Sequence, residues 1–132
     1  LKNGAIDVIA TDHAPHTAVE KGQSMKRAPF GVVGLETAAA VTYSELVLKD
    51  YLTPMQMAEK LSYNPAKVIG SDKGTLQEGS AADIVIFDPN QNYTIQAKEF
   101  AGKAKNTPFD NRKVTGKVIT TIVSGEVVYS EE

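Results

Sequence analysis

Residues 5–16 read AIDVIATDHAPH, and this stretch decides the fold that the sequence predicts. It begins as a short apolar run and ends in Asp12, His13 and His16, the last two being both histidines of the chain. The length and β-branching of residues 5–10 predict a strand. A buried strand that delivers a carboxylate and two imidazoles at its C-terminal end is how an α/β barrel presents catalytic groups.

The segments that follow predict a long loop and three helices. Residues 11–31 carry glycines and prolines among polar side chains, which is typical of a loop. Apolar residues then recur with a helical period over residues 32–50. Thr53-Pro54 and Asn64-Pro65 each combine an N-cap side chain with a proline at the first helical position, so each predicts a helix start. Gly70 is placed to end the last helix.

Beyond Gly70 the sequence changes to short apolar runs separated by turn residues. These runs predict strands at residues 84–87, 93–95, 117–123 and 126–129, the last two joined as a hairpin by Ser124-Gly125. So few strands cannot close a barrel or bury their faces and edges without partner strands from elsewhere. We therefore predict two domains, residues 1–70 and residues 71–132.

Composition limits the classes of partner. The chain has 132 residues, a formal net charge of −2 and no cysteine. The balanced charge gives no reason to expect a nucleic acid or an anionic membrane as partner, and no apolar run reaches the roughly 18 residues of a membrane span. Without cysteine there is no disulfide framework or thiolate nucleophile, which suits a cytoplasmic protein. The first residues lack a methionine and a signal peptide, so we interpret the chain as beginning inside a larger protein.

Asp12 is the strongest catalytic candidate. A carboxylate just past a buried strand can bind a divalent metal or act as a general base. An aspartate at a loop-to-helix entry also serves as an N-cap for backbone reasons alone, and the residue by itself leaves these two interpretations equally open. The His-Ala-Pro-His sequence that follows favours the catalytic or metal-binding interpretation over the N-cap.

His13 and His16 are three residues apart and would ligate one metal if the segment were helical. Pro15 lies between them and disfavours a helical conformation at Ala14, so the spacing is a weak signal for a metal. One imidazole could hold a substrate group while the other packs structurally.

Pro29-Phe30-Gly31 ends the long loop. Gly31 has no side chain, so its backbone can approach a ligand closely, and N–H groups at a helix start favour an anion such as a carboxylate. Glycine as ordinary loop punctuation explains this residue at least as well.

Three pieces of sequence together carry a resemblance to a known family. They are ATDHAPH at residues 10–16, APFGVVGLET at residues 28–37, and NPA at residues 64–66 followed by KGTLQEGSAADIVIFD at residues 73–88. In this combination the chain resembles dihydroorotase of the long bacterial type, within the cyclic amidohydrolase group of the amidohydrolase superfamily. The first two pieces are the specific ones, whereas the third is shared widely across the superfamily.

The resemblance implies an α/β fold that is the C-terminal part of a TIM-barrel metallohydrolase, followed by part of a small β-sandwich. Residues 5–10 would be the last barrel strand, and residues 71–132 the C-terminal share of the sandwich. The implied reaction is the reversible, zinc-dependent interconversion of dihydroorotate and N-carbamoyl-L-aspartate in pyrimidine synthesis. The substrate is therefore a small anionic molecule.

The same resemblance implies roles for individual residues. Asp12 would touch the zinc centre and shuttle the proton from the attacking water to the leaving amide nitrogen. His16 would hold the substrate carboxylate, and Phe30 and Gly31 would contact the substrate through their backbone. His13 receives no catalytic role and is expected to act structurally. The remaining Zn²⁺ ligands of the family are absent from this sequence, so we expect the chain alone to be inactive and to bind zinc weakly.

Two alternatives stay open. The first is another cyclic amidohydrolase, namely a hydantoinase, a dihydropyrimidinase or an allantoinase, although His16 and the Pro-Phe-Gly loop favour dihydroorotase. The second is a non-catalytic dihydroorotase-like scaffold of aspartate transcarbamoylase, against which the intact Asp12 and His16 argue. A homodimer and an association with aspartate transcarbamoylase are both left open by the sequence.

Overall fold

The computed structural model describes residues 1–131, and its helices are short. The helical segments are α1 (Ala18–Lys21), α2 (Ala38–Thr42) with the π-helical turn Tyr43–Val47, α3 (Pro54–Ala58) with the π-helical turn Glu59–Tyr63, α4 (Asn64–Val68) and the 3-10 helix Ala97–Glu99. The strands are β1 (Ile84–Thr94), β2 (Lys113–Val123) and β3 (Glu126–Ser130). Within the described residues, no helix is long and apolar enough to cross a membrane.

The chain forms two compact units. One contains residues 1–10, residues 39–91 and the chain from Thr115 onward, and the other contains residues 11–38 and residues 92–114. The buried apolar side chains of the first unit are Ala40, Leu52, Met57 and Ala66. Those of the second unit are Val33, Ile95, Ala97 and Val114. The division into domains at residue 70 stays a prediction.

Residues 5–10 do not form the strand that their sequence predicts. A strand needs a neighbouring strand to satisfy its backbone groups, and none of the described strands runs beside this segment. Lys60 supplies the partners instead. Its ammonium donates to the carbonyl of Ile6 at 2.6 Å, and its carbonyl accepts from the N–H of Ile9 at 2.9 Å. The side chain of Lys60 is buried by this arrangement, with 6% of its surface exposed.

The helical stretch from Pro54 begins as predicted. The hydroxyl of Thr53 accepts from the N–H of Gln56, and the side chain of Gln56 accepts from the N–H of Thr53 at 2.8 Å. This reciprocal pair satisfies two backbone donors that have no partner within the helix.

The second helix predicted at Asn64-Pro65 is present as α4, which begins at Asn64, but the predicted cap by the Asn64 side chain does not form. The π-helical turn Glu59–Tyr63 runs directly into α4, and Tyr63 makes no side-chain cap. Proline is normally excluded from a helix interior because it lacks an N–H and its ring meets the carbonyl four residues earlier. The wider π-helical turn ahead of Pro65 makes room for the ring. Asn64 donates its amide to the carbonyl of Asp7 at 2.9 Å rather than capping a helix.

Gly70 ends α4 as predicted. It adopts φ +70°, a conformation in which glycine carries no steric penalty. The N–H of Gly70 donates to Lys67 and the N–H of Ser71 donates to Ala66, at 3.1 and 2.8 Å. These two bonds are the Schellman pattern, which satisfies the last carbonyls of a helix.

Two boundaries near the long loop differ from the prediction. The helix predicted from residue 32 begins only at Ala38, because residues 31–34 are extended and the first turn forms on the carbonyl of Gly34. The loop over residues 11–31 is interrupted by the short helix α1, which the Thr17–Glu20 capping box stabilises.

The three described strands form one sheet in the order β1-β2-β3. Strands β2 and β3 pair antiparallel, and the register shifts at a bulge between Thr121 and Ile122. Ser124 and Gly125 both have positive φ, of 52° and 85°, which fits the type I′ turn of a tight hairpin. The predicted hairpin is therefore confirmed.

Strand β1 is one continuous element. The prediction of two separate strands, at residues 84–87 and 93–95, is therefore wrong. The sequence suggested a break because Pro89 cannot donate to a strand ladder. Strand β1 lies at an edge of the described sheet, where one side of the backbone has no ladder to satisfy. Proline is tolerated at such an edge.

Replacing Lys60 with methionine tests whether this lysine holds residues 5–10. Methionine keeps an unbranched side chain of similar bulk but removes the donor, which leaves the carbonyl of Ile6 without its partner. We expect the free energy of unfolding to fall by about 1–3 kcal/mol, measured by urea denaturation. Lys2→Met is the matched control, since Lys2 donates to the carbonyl of Asp50 on the exposed surface. Equal losses in both variants would contradict the assignment.

The Lys73–Asp83 ion pair predicts an acid-sensitive turn. Lys73 and then the N–H of Ser124 hold the pKa of Asp83 below its ordinary 3.8. A carboxyl group with a lowered pKa in the folded state stabilises that state above its ordinary pKa and loses this contribution as the pH falls through the lowered value. We expect Asp83→Asn to flatten the decline of the melting temperature below pH about 4. The exposed Glu78→Gln is the control and should keep the wild-type slope.

Candidate active site

Two arms of the long loop lie side by side in the second unit. The first arm is residues 11–17 and the second arm is residues 29–34. His13 and Val32 form an isolated parallel bridge, and the N–H of Ala14 donates to the carbonyl of Val32 at 2.9 Å. The arms therefore carry most of the predicted site residues at one place.

His16 connects the two arms through its ring. Its Nε2 lies 2.9 Å from the carbonyl oxygen of Phe30. Because that oxygen can only accept, Nε2 carries the proton and donates. Nδ1 lies 3.9 Å from a carboxylate oxygen of Glu20. The structure thus brings together His16, Phe30 and Gly31, the three residues predicted to bind the substrate.

Gly31 is required by the packing of the arms. Its φ is +105°, and a Cβ placed there would lie 2.4 Å from the Cβ of Ala14. No side chain fits at that distance, so the close approach at Gly31 is to the first arm. The ring of Phe30, by contrast, is 94% exposed.

His13 has the structural role that the sequence left to it. Its Nδ1 lies 3.1 Å from the N–H of Gly34 and 3.4 Å from the N–H of Leu35. A ring nitrogen that accepts these bonds carries no proton, so the proton of the neutral ring is on Nε2. The imidazole caps backbone donors in the turn that leads into α2.

Asp12 stands apart from this cluster. Its carboxylate is exposed and, within residues 1–131, has no hydrogen-bond or ion-pair partner. Its backbone has φ +44°, in the left-handed region that aspartate tolerates better than most residues. Such conformations concentrate at functional sites. The catalytic role of Asp12 stays a prediction.

A zinc centre needs more ligands than the described residues bring together. Zinc sites in enzymes use three protein ligands as a rule. No group of three histidine, aspartate or glutamate side chains in the described chain could hold a metal ion. Asp12 alone therefore does not constitute a metal site.

Sequence reasoning missed two residues that hold the arms. Lys21 donates to the carbonyls of Pro29 and Gly31, at 2.9 and 3.2 Å. The side chain of Asn106 contacts Ala14, His16 and Gly31. Lys21 could have been suspected from its position inside the loop, but nothing in the sequence links Asn106 to residues about 90 positions earlier.

An open cleft of about 430 Å³ lies beside the first arm. Polar side chains that line it are those of His13, His16, Thr17, Glu20, Glu36 and Lys103. Hydrogen bonds from the backbone and hydroxyl of Thr17, together with the nearby His16, lower the pKa of Glu20. Glu36 accepts from the N–H groups of Ala101 and Gly102 at 2.9 and 3.2 Å. The cleft thus offers charges of both signs to a small polar ligand.

Comparison with known proteins identifies the family. The profile described as amidohydrolase family matches residues 1–128. A curated dihydroorotase of Clostridium acetobutylicum is 48% identical over 100% of this chain, and those of Pelotomaculum thermopropionicum and Clostridioides difficile are 50% and 46% identical over 99% and 98% of it. The chain spans only 31%, 31% and 30% of the lengths of these three relatives. The predicted resemblance to dihydroorotase is confirmed.

Solved structures support the same fold. An L-hydantoinase (dihydropyrimidinase) from Arthrobacter aurescens superposes with a TM-score of 0.91 at 35% identity, over 98% of this chain and 30% of that protein. A dihydropyrimidinase from Brevibacillus agri gives a TM-score of 0.91 at 30% identity, over 98% of this chain and 29% of that protein. The predicted fold class, part of an α/β metallohydrolase of the TIM-barrel type, is confirmed by this likeness. Because the amidohydrolase family profile matches residues 1–128 of the 132 residues, the chain belongs to the amidohydrolase family.

Proposed function

We propose that the complete protein containing this chain is a dihydroorotase. It would interconvert dihydroorotate and N-carbamoyl-L-aspartate, a step of pyrimidine synthesis in the cytoplasm. The observation that carries the proposal is the identity of 46–50% to curated dihydroorotases along the whole chain. The grouping of His16 with Phe30 and Gly31 supports it, because these are the residues predicted to bind the substrate and they lie together.

Asp12 is the proton carrier in this proposal. Hydrolysis of dihydroorotate adds water to the ring carbonyl and breaks the ring C–N bond. Asp12 takes a proton from the attacking water and returns it to the departing nitrogen, so the carboxylate ends unchanged. Its lack of partners within the described residues leaves both oxygens available for this transfer.

His16 binds a carboxylate of the substrate. Its Nε2 proton is committed to the carbonyl of Phe30, so Nδ1 is the ring nitrogen that would face the substrate. The neighbouring N–H groups of the second arm supply further donors. Imidazole and backbone donors together match the planar carboxylate that both substrates carry.

The implied cofactor is zinc, which polarises a carbonyl and activates water when it is bound. This chain offers the carboxylate of Asp12 to such a centre, and the other donors lie outside the described residues. Association with aspartate transcarbamoylase and a homodimer remain open parts of the proposal.

Hydantoinase activity is the second candidate, favoured by the TM-scores of 0.91 to solved dihydropyrimidinases. The two functions share the barrel and differ in the ring that is opened. Identity is higher to the dihydroorotases, at 46–50% against 30–35% for these structures. Dihydroorotase therefore stands first.

The complete protein decides between these functions. We expect it to hydrolyse dihydroorotate, which is measured as a loss of ultraviolet absorbance. We expect little or no hydrolysis of hydantoins. The 132-residue chain alone should show no turnover, because one carboxylate is too few to bind zinc. Preferential turnover of hydantoins by the complete protein would favour the second candidate. No turnover of either class would favour a scaffold role.

Replacing Asp12 with asparagine tests the proton carrier. Asparagine keeps the shape and tolerates the left-handed backbone but cannot take a proton. We expect kcat on dihydroorotate to fall by about 100-fold or more. Asp7→Asn is the matched control, since Asp7 is an exposed aspartate five positions earlier whose backbone carbonyl, not its side chain, is bonded. A variant at Asp12 that keeps more than a tenth of wild-type kcat would contradict the role.

A further inference from the structure

Asn106 lies in the segment 92–114 and directs its side-chain amide and its backbone carbonyl to the two arms of the candidate site. We propose that Asn106 is the positioning residue of this site, fixing His16 relative to Phe30 and Gly31 in the geometry that binds the substrate carboxylate. The proposal rests on the proposed dihydroorotase function and deepens it. No chemical step is assigned to Asn106 itself.

The contacts of Asn106 cover both arms. Its Oδ1 accepts from the N–H of His16 at 3.0 Å. Its Nδ2 donates to the carbonyls of Ala14 and Gly31, at 3.0 and 3.3 Å. Its own carbonyl accepts from the N–H of Val33 at 3.0 Å. One residue thus bonds twice to each arm.

The side chain has to be an amide to make these bonds. A single group must accept from His16 and donate twice, to Ala14 and to Gly31. Aspartate has two oxygens and no donor at neutral pH, a hydroxyl has one donor, and glutamine carries the same amide one methylene further out. Asparagine is therefore the residue that meets the whole requirement at this distance.

We call the hydrogen bonds from Asn106 to the two arms the clamp, and their location explains why they act on substrate binding. Asn106 bonds directly to His16 and Gly31 among the predicted binding residues. Phe30 precedes Gly31 and accepts the ring hydrogen bond of His16. Loss of the clamp frees the backbone of both arms, and a binding site loses affinity when its groups are held less exactly. The arms keep their direct bridge between His13 and Val32, so they stay paired without Asn106.

The test uses the complete protein with Asn106→Ala and Asn106→Asp. We expect KM for dihydroorotate to rise about tenfold or more in both variants, because several hydrogen bonds are lost and each tenfold corresponds to roughly 1.4 kcal/mol. The value of kcat should change less than threefold, which corresponds to about 0.6 kcal/mol in activation free energy. Aspartate should fail to rescue, since its second oxygen faces the carbonyls of Ala14 and Gly31. Asn3→Ala is the control, because Asn3 makes only an exposed local bond to Ala5.

The outcomes separate the two proposals. A lower melting temperature with unchanged KM would overturn positioning, since a purely structural residue changes the amount of folded enzyme but not its affinity. Rescue of KM by Asn106→Asp would overturn it as well. If the wild-type protein does not turn over dihydroorotate, the proposed function fails. The clamp is then tested by amide hydrogen exchange of residues 13–17 and 29–33. Faster exchange in Asn106→Ala than in Asn3→Ala supports the clamp, and equal exchange overturns it.

Discussion

The structure of the candidate site depends on one constraint: backbone N–H and C=O groups outside regular helices and strands need hydrogen-bond partners. Within residues 1–131 the backbones of the two arms pair with each other at the bridge of His13 and Val32, so most of their remaining N–H and C=O groups require other partners. Side chains provide them: His13 accepts from the start of the helical turn, and Lys21 and Asn106 donate to the carbonyls around Gly31. The positions of the two arms therefore depend on side chains outside the predicted site residues.

This constraint divides the two histidines between different tasks. His13 and His16 sit three positions apart, and Pro15 between them prevents the helical turn that would align both rings. One ring turns to the backbone of Gly34 and the other to the carbonyl of Phe30. A spacing that suggests a pair of metal ligands instead yields two rings with separate backbone partners. The backbone between the histidines, and not their number, decides what they do.

The features that the sequence predicted correctly are local ones. The cap at Thr53, the helix end at Gly70 and the turn at Ser124-Gly125 each depend on residues within about five positions. Two of the failures concern distant partners. Residues 5–10 have a strand pattern but bond to Lys60, whose burial no periodicity indicates. Asn106 was missed for the same reason, because its partners lie 75 to 92 positions away.

Asp12 shows how such a scaffold can orient a side chain without bonding to it. A side chain that is held by hydrogen bonds has fewer lone pairs for chemistry, whereas Asp12 has no partner among the described residues. Its direction is set by the backbone: φ is +44° at Asp12, and His13 immediately after it is fixed by two N–H groups. The strain of a left-handed residue costs of order 1 kcal/mol and persists where its surroundings enforce it. Because the carboxylate is oriented through its neighbours, both of its oxygens stay without a hydrogen-bond partner among the described residues, as the proposed proton transfer requires.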